Sequence, residues 1–83
     1  MKQIKVDVLF FGLAKELCAA KRVTLEVGEG STLDFCRQKI EAEFPRLTQL
    51  QCAYAINKSY VNDGSCVLSD GDELAVLPPV SGG

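Results

Sequence analysis

The 83-residue chain has no histidine, no tryptophan and a single methionine. Without histidine it lacks the side chain most used for proton transfer near neutral pH and the commonest metal ligand, which excludes histidine-based triads and mixed Cys/His zinc sites. Its four cysteines, Cys18, Cys36, Cys52 and Cys66, form no C-x-x-C pair, so neither a redox motif nor a usual zinc site is present. Positive charge is also scarce. Nine basic residues stand against eleven acidic ones, leaving little to neutralise nucleic-acid phosphates. Apolar runs such as Val8 to Phe11 are far too short for a membrane span, and the start Met1-Lys2-Gln3-Ile4 has no signal-peptide pattern, so no membrane and a cytosolic location are expected. Three of the cysteines lie in apolar stretches, where a free thiol behaves as a small hydrophobe; a two-disulfide secreted scaffold is the alternative. What is present is ordinary globular material, 47% hydrophobic and 24% charged, enough for one small core.

Hydrophobic periodicity orders that material. Ile4, Val6, Val8 and Phe10 alternate with Lys5, Asp7, Leu9 and Phe11 as a first strand whose second half is apolar on both faces, as where a partner covers the side opposite the helix. Residues 13–18 suit one or two helical turns, and 22–27 alternate as a second strand. Ser31 is the expected N-cap of the main helix, with Asp34 in a capping-box position; Leu33, Cys36, Ile40 and Phe44 form its apolar stripe and Pro45 ends it. Phe35 projects off that stripe, towards a neighbouring loop. A connection leads to a strand at 52–56, a turn at Asn57-Lys58 and a brief return at Tyr60-Val61. A tight turn at Ser69-Asp70-Gly71-Asp72 then precedes a last strand over 73–77. The order predicts an α+β fold, a β-grasp with a mixed sheet of about five strands and one main helix on one face. The domain is expected over 1–77, followed by an extended, flexible tail over 78–83.

Few side chains suggest chemistry. No cysteine has a histidine partner, so buried structural thiols are expected. Asp70 and Asp72 flank Gly71 as turn residues and lack the rest of a calcium loop, so no metal site is expected. Lys15, Lys21 and Arg22 make a modest basic group, read as a solvated face or a contact for an acidic partner. The chain's end is different. From Leu74 to Gly83 no residue is charged; Pro78 and Pro79 stop the strand and stiffen the exit, and Gly82-Gly83 is bare backbone ending in a carboxylate. Such a tail can enter a narrow tunnel where any Cβ would collide.

Val8-Leu9-Phe10-Phe11-Gly12-Leu13-Ala14-Lys15-Glu16-Leu17, Ala55-Ile56-Asn57 and the stretch from Leu68 to Gly83, with its D-G-D-E and P-P-V-S-G-G patterns, resemble the small, sulfur-carrying subunits of molybdopterin synthases. The resemblance implies a ubiquitin-like sulfur carrier with no bound cofactor. A ubiquitin-activating-type adenylyltransferase would use ATP to convert the Gly83 carboxylate into an adenylate, and sulfur from a persulfide would displace AMP to leave a thiocarboxylate. Pro78, Pro79, Val80, Ser81 and Gly82 would insert into the large catalytic subunit, in a heterotetramer of two small and two large subunits, and the thiocarboxylate would attack cyclic pyranopterin monophosphate to build the dithiolene. Phe11, Leu77 and Val80 are the expected docking residues, with core packing the competing reading for Phe11. Alternatives are a carrier for thiamine or tRNA thiolation, a ubiquitin-like protein modifier, or a β-grasp interaction module without chemistry.

Overall fold

Period-two and helical patterns resolve into β1 (Gln3–Phe10), α1 (Gly12–Cys18), β2 (Arg22–Gly28), α2 (Leu33–Glu43), β3 (Ala53–Ile56), β4 (Ser59–Tyr60) and β5 (Glu73–Leu77) in a computed structural model that describes residues 2–79. The strands form one sheet in the order β2-β1-β5-β3-β4. β1 and β5 run parallel at its centre, and every other neighbouring pair is antiparallel. This is the β-grasp expected from the element order. The alternation of β1 does what its pattern requires: Ile4, Val6, Val8 and Phe10 are buried under the helices, while Lys5, Asp7 and Leu9 lie on the opposite, open face.

The core sits between the sheet and α2, which contributes Leu33, Cys36 and Ile40; α1 adds Ala14 and Cys18. Val6, Val8, Leu74 and Val76 are fully enclosed at its centre, each contributing about 1.5–3 kcal/mol by leaving water. Phe44, the last residue of the predicted stripe, meets Phe10 edge to face at 5.2 Å between ring centroids. Two local expectations are corrected. Thr32 caps α2, its Oγ1 accepting from the Phe35 N–H at 3.2 Å, because the Ser31 hydroxyl instead donates to the Gly28 carbonyl at 2.6 Å and closes the preceding turn. The Asp34 carboxylate accordingly pairs with Arg37 at 3.3 Å rather than reaching back to an amide. The connection after α2 also has structure of its own, a 3-10 turn over Pro45–Gln49 that buries Leu47.

The D-G-D-E segment has a structural role. Asp70 accepts from the Lys5 N–H at 2.8 Å, Asp72 accepts from the Ser69 N–H and the Asn57 side chain at 2.7 and 2.9 Å, and Asn57 accepts from the Glu73 N–H at 3.0 Å. Gly71 takes φ +86°, which favours glycine, and donates to the Lys5 carbonyl. One turn thereby ties the entry of β5 to β1 and to the β3–β4 hairpin. The turn reading of Asp70 and Asp72 holds.

Candidate functional site

The central position of β5 decides where the tail leaves. Parallel to β1, it ends at Leu77 beside the end of β1, and the Phe11 N–H donates to the Val76 carbonyl. Pro78 follows against the β1–α1 corner. Gly12 there has φ +53°, and a Cβ on it would stand 3.2 Å from the Pro78 ring, so the bare corner lets the tail's first residue pass close to the domain. Pro78 and Pro79 carry no regular structure, as two prolines after a strand require.

Around this exit the open sheet face is apolar. Register aligns Leu9 with Ala75 and Ala75 with Ala55, and pairs Leu77 with Ala53 and Tyr60 with Ala55. Leu9, Leu77, Ala75, Ala53, Ala55 and Tyr60 therefore share one face across four strands, with Tyr60 77% exposed. Phe11 is 46% exposed and Leu13 48%, at the corner beneath Pro78. The core-packing reading of Phe11 is thus set aside, and Leu77 is half-buried on the expected face. Val80, Ser81, Gly82 and Gly83 lie outside the described residues. Leu9 lies in the half of β1 that the sequence marks as apolar on the face opposite the helix, without being singled out there, whereas Tyr60 sits in a strand of two residues, too short to show a period.

The other half of the open face, over β2 and the start of β1, is charged. Arg22 pairs with Asp7 at 3.0 Å, and Glu26 stands opposite Lys5. Arg22 thus has a partner within its own domain while remaining exposed, and Lys15 and Lys21 are exposed near the tail exit. The cysteines form no disulfide: Cys18 and Cys36 are buried, Cys52 and Cys66 half-buried. Burial pushes the Cys18, Cys36 and Cys52 thiols up, with the neighbouring Cys52 adding to the rise at Cys18 and Glu41 to that at Cys52. Raised thiols are poor nucleophiles, in keeping with packing roles. Phe35, off the helix stripe as expected, carries Lys39 over its ring at 5.7 Å and borders the 28–32 loop. A concavity of about 540 Å³ lies there, at the end of the sheet away from the tail exit.

Comparison with known proteins gives this geometry its context. The ThiS family matches residues 8–83. The molybdopterin synthase sulfur carrier subunit of Arabidopsis thaliana is 35% identical over 82 residues, covering 96% of this chain and 84% of that protein. Its counterpart in Mycobacterium tuberculosis is 36% identical over 83 residues, covering 96% and 99%. Among solved structures, a complex of subunits 1 and 2 of the molybdopterin-converting factor from Helicobacter pylori aligns over 96% of this chain and 100% of the matched chain, with TM-score 0.71 and 29% identity. Urm1 from Trypanosoma brucei aligns over 100% and 99% with TM-score 0.72 at 18% identity, a likeness of fold. With its β-grasp, its apolar open face and its near full-length match, the chain belongs to the ThiS family, among the molybdopterin synthase sulfur carrier subunits.

Proposed function

We propose that this chain carries sulfur as a thiocarboxylate on Gly83 and delivers it inside the large subunit of a molybdopterin synthase. The observation that carries the reading is continuity: the apolar open face formed by Leu9, Leu77 and Tyr60 runs into a charge-free stretch from Leu74 to Gly83 that leaves beside Phe11. A partner gripping that face is positioned to receive the tail. The domain then acts as a handle, and the reactive group is the chain's own terminus.

A free carboxylate is a poor electrophile. Adenylation by an ATP-dependent, ubiquitin-activating-type enzyme supplies the leaving group. The persulfide's outer sulfur attacks, and the acyl–oxygen bond to AMP breaks as the acyl–sulfur bond forms. A thiol of the transfer machinery then cleaves the S–S bond of this acyl disulfide, becoming a disulfide itself and releasing the thiocarboxylate. The resulting thiocarboxylate is ionised at neutral pH and attacks cyclic pyranopterin monophosphate. Cations for the substrate phosphate, and any general acid, belong to the large subunit. Two sulfurs per dithiolene require two loaded carriers or two loading rounds, which suits an assembly of two small and two large subunits. The setting for this sequence of transfers is the cytosol.

Incubation with the activating enzyme, ATP, a persulfide donor and a thiol reductant should raise the intact mass by the difference between sulfur and oxygen, localised to Gly83 by fragmentation. The loaded protein mixed with the large subunit should then yield dithiolene product. Absence of the mass gain, or full synthase activity after deletion of Gly82-Gly83, would falsify the reading. Transfer to lysines or to a tRNA without dithiolene formation would redirect it to a modifier or a thiolation carrier.

A further inference from the structure

β2 is an edge strand, and its outer edge has no partner among the described residues. The hydrogen bonds that flank the β1–β2 ladder, Phe10 N–H to the Lys21 carbonyl and Glu29 N–H to the Lys2 carbonyl, fix its parity. In an antiparallel ladder the residues that exchange bonds alternate. Lys21, Val23, Leu25, Val27 and Glu29 therefore turn their backbone groups towards β1, and Arg22, Thr24 and Glu26 turn theirs outwards. An unpaired row of this length is a template for another strand.

We propose that a second copy of this chain pairs along this edge, antiparallel, about a two-fold axis at Thr24. That axis sets Thr24 against Thr24, Arg22 against Glu26 of the other copy, and Glu26 against Arg22. Three facing pairs, each exchanging two bonds, give about six backbone hydrogen bonds. The two five-stranded sheets become one.

Charge selects both the partner and the register. Charged residues on an edge ordinarily discourage pairing, yet here the two signs are spaced so that each copy offers the complement of the other. Arg22 is already held by Asp7 at 3.0 Å, and Glu26 faces Lys5; across the two-fold the sequence of charges becomes Asp7, Arg22, Glu26, Lys5, alternating in sign over four strands. Moving the axis to Arg22 or to Glu26 sets like charges directly opposite, which is destabilising. An axis at Val23 or Leu25 keeps the backbone parity but sets Arg22 or Glu26 against Thr24 and so loses the paired charges, while a one-residue slip of one strand sets outward backbone groups against inward ones. On the helix-side face, Val23 and Leu25, half-buried at the rim of the core, meet each other across the axis as a non-hydrogen-bonded pair. The association is isologous and closed. β5 is parallel to β1, so the two-fold points the two tail exits in opposite directions and leaves both apolar faces open.

Sedimentation equilibrium of the full chain over a range up to about 1 mM should show a monomer–dimer equilibrium that weakens with salt. Glu26→Arg and Arg22→Glu should each weaken it by at least about tenfold. Mixed one to one they should associate with each other, since the first variant then presents arginine at both positions to a partner that presents glutamate at both, and this recovery also shows that both variants fold. Thr24→Pro deletes an outward N–H without touching the β1 ladder and should leave a monomer with unchanged circular dichroism. A wild-type chain that stays monomeric throughout the range overturns the proposal. So does a dimer indifferent to Thr24→Pro, or a mixture of the two charge variants that fails to associate. Sulfur loading plays no part in any of these measurements.

Discussion

Leu77 is the residue at which domain and tail meet. Its backbone completes the β3–β5 ladder opposite Ala53 while its side chain lies half-buried on the open face, so it belongs to the fold through its amide and to the proposed docking surface through its methyl groups. A lysine there keeps the ladder and can extend its charged end into water in the free protein. On docking, that ammonium would have to lose its hydration against an apolar partner. Leu77→Lys should therefore lower affinity for the large subunit by tenfold or more, read by titration calorimetry, while the thermal midpoint changes little; about 0.5 kcal/mol is the usual scale of a surface substitution. Equal affinity for both proteins would remove Leu77 from the interface. Phe11 was ambiguous from sequence because two successive phenylalanines at a strand end leave open which is core, and only the corner at Gly12 shows Phe10 buried and Phe11 exposed.

Elements with a strong period were legible, and those set by a single competing contact were not. β5 over 73–77 and the α2 stripe followed directly from alternation and helical spacing. The α2 cap lies one residue beyond the position expected from sequence because Ser31 and Thr32 are both competent caps, and the Ser31 bond to Gly28 decides between them. The Pro45–Gln49 turn carries one buried side chain, Leu47, too few for a pattern. The β3–β4 hairpin was legible as a turn, but its strain was not. Asn57 and Lys58 take φ +52° and +72°, the two-residue left-handed geometry that suits strand twist and favours Asn-Gly. Asn57 tolerates it and is held by Asp72 and Glu73; Lys58 carries a Cβ penalty of roughly 1–2 kcal/mol, partly offset by the entropy glycine loses on folding. Lys58→Gly should stabilise the domain by about 0.5–1 kcal/mol, seen as a higher urea midpoint at unchanged slope. A lower midpoint would show that the Lys58 side chain makes a compensating contact.

At the scale of the whole molecule, the lack of histidine leaves no side chain that ordinarily titrates between pH 5 and 8. Buried weak acids instead place the sensitivity on the alkaline side. Burial pushes the Tyr54 hydroxyl up to about 12, with the Glu41 carboxylate adding to the rise, and burial raises the Cys18, Cys36 and Cys52 thiols. Each group is raised above its unfolded value, so the unfolded chain loses these protons first. Their contribution is fully present below the unfolded values, near 9 for thiols and 10 for tyrosine, and is lost as pH rises through the folded ones. Stability should be level through neutral pH, begin to fall near pH 9, and fall further between about 10 and 12, where Tyr54 contributes on the order of 2 kcal/mol. Tyr54→Phe isolates that part. Urea midpoints measured from pH 7 to 12 should show a shallower decline above pH 10 in the variant than in the parent, with the onset near pH 9 retained because the thiols remain. Parallel curves for the two proteins would mean that the Tyr54 hydroxyl titrates alike in the folded and unfolded chains, and that the alkaline limit of this fold is set by its thiols alone.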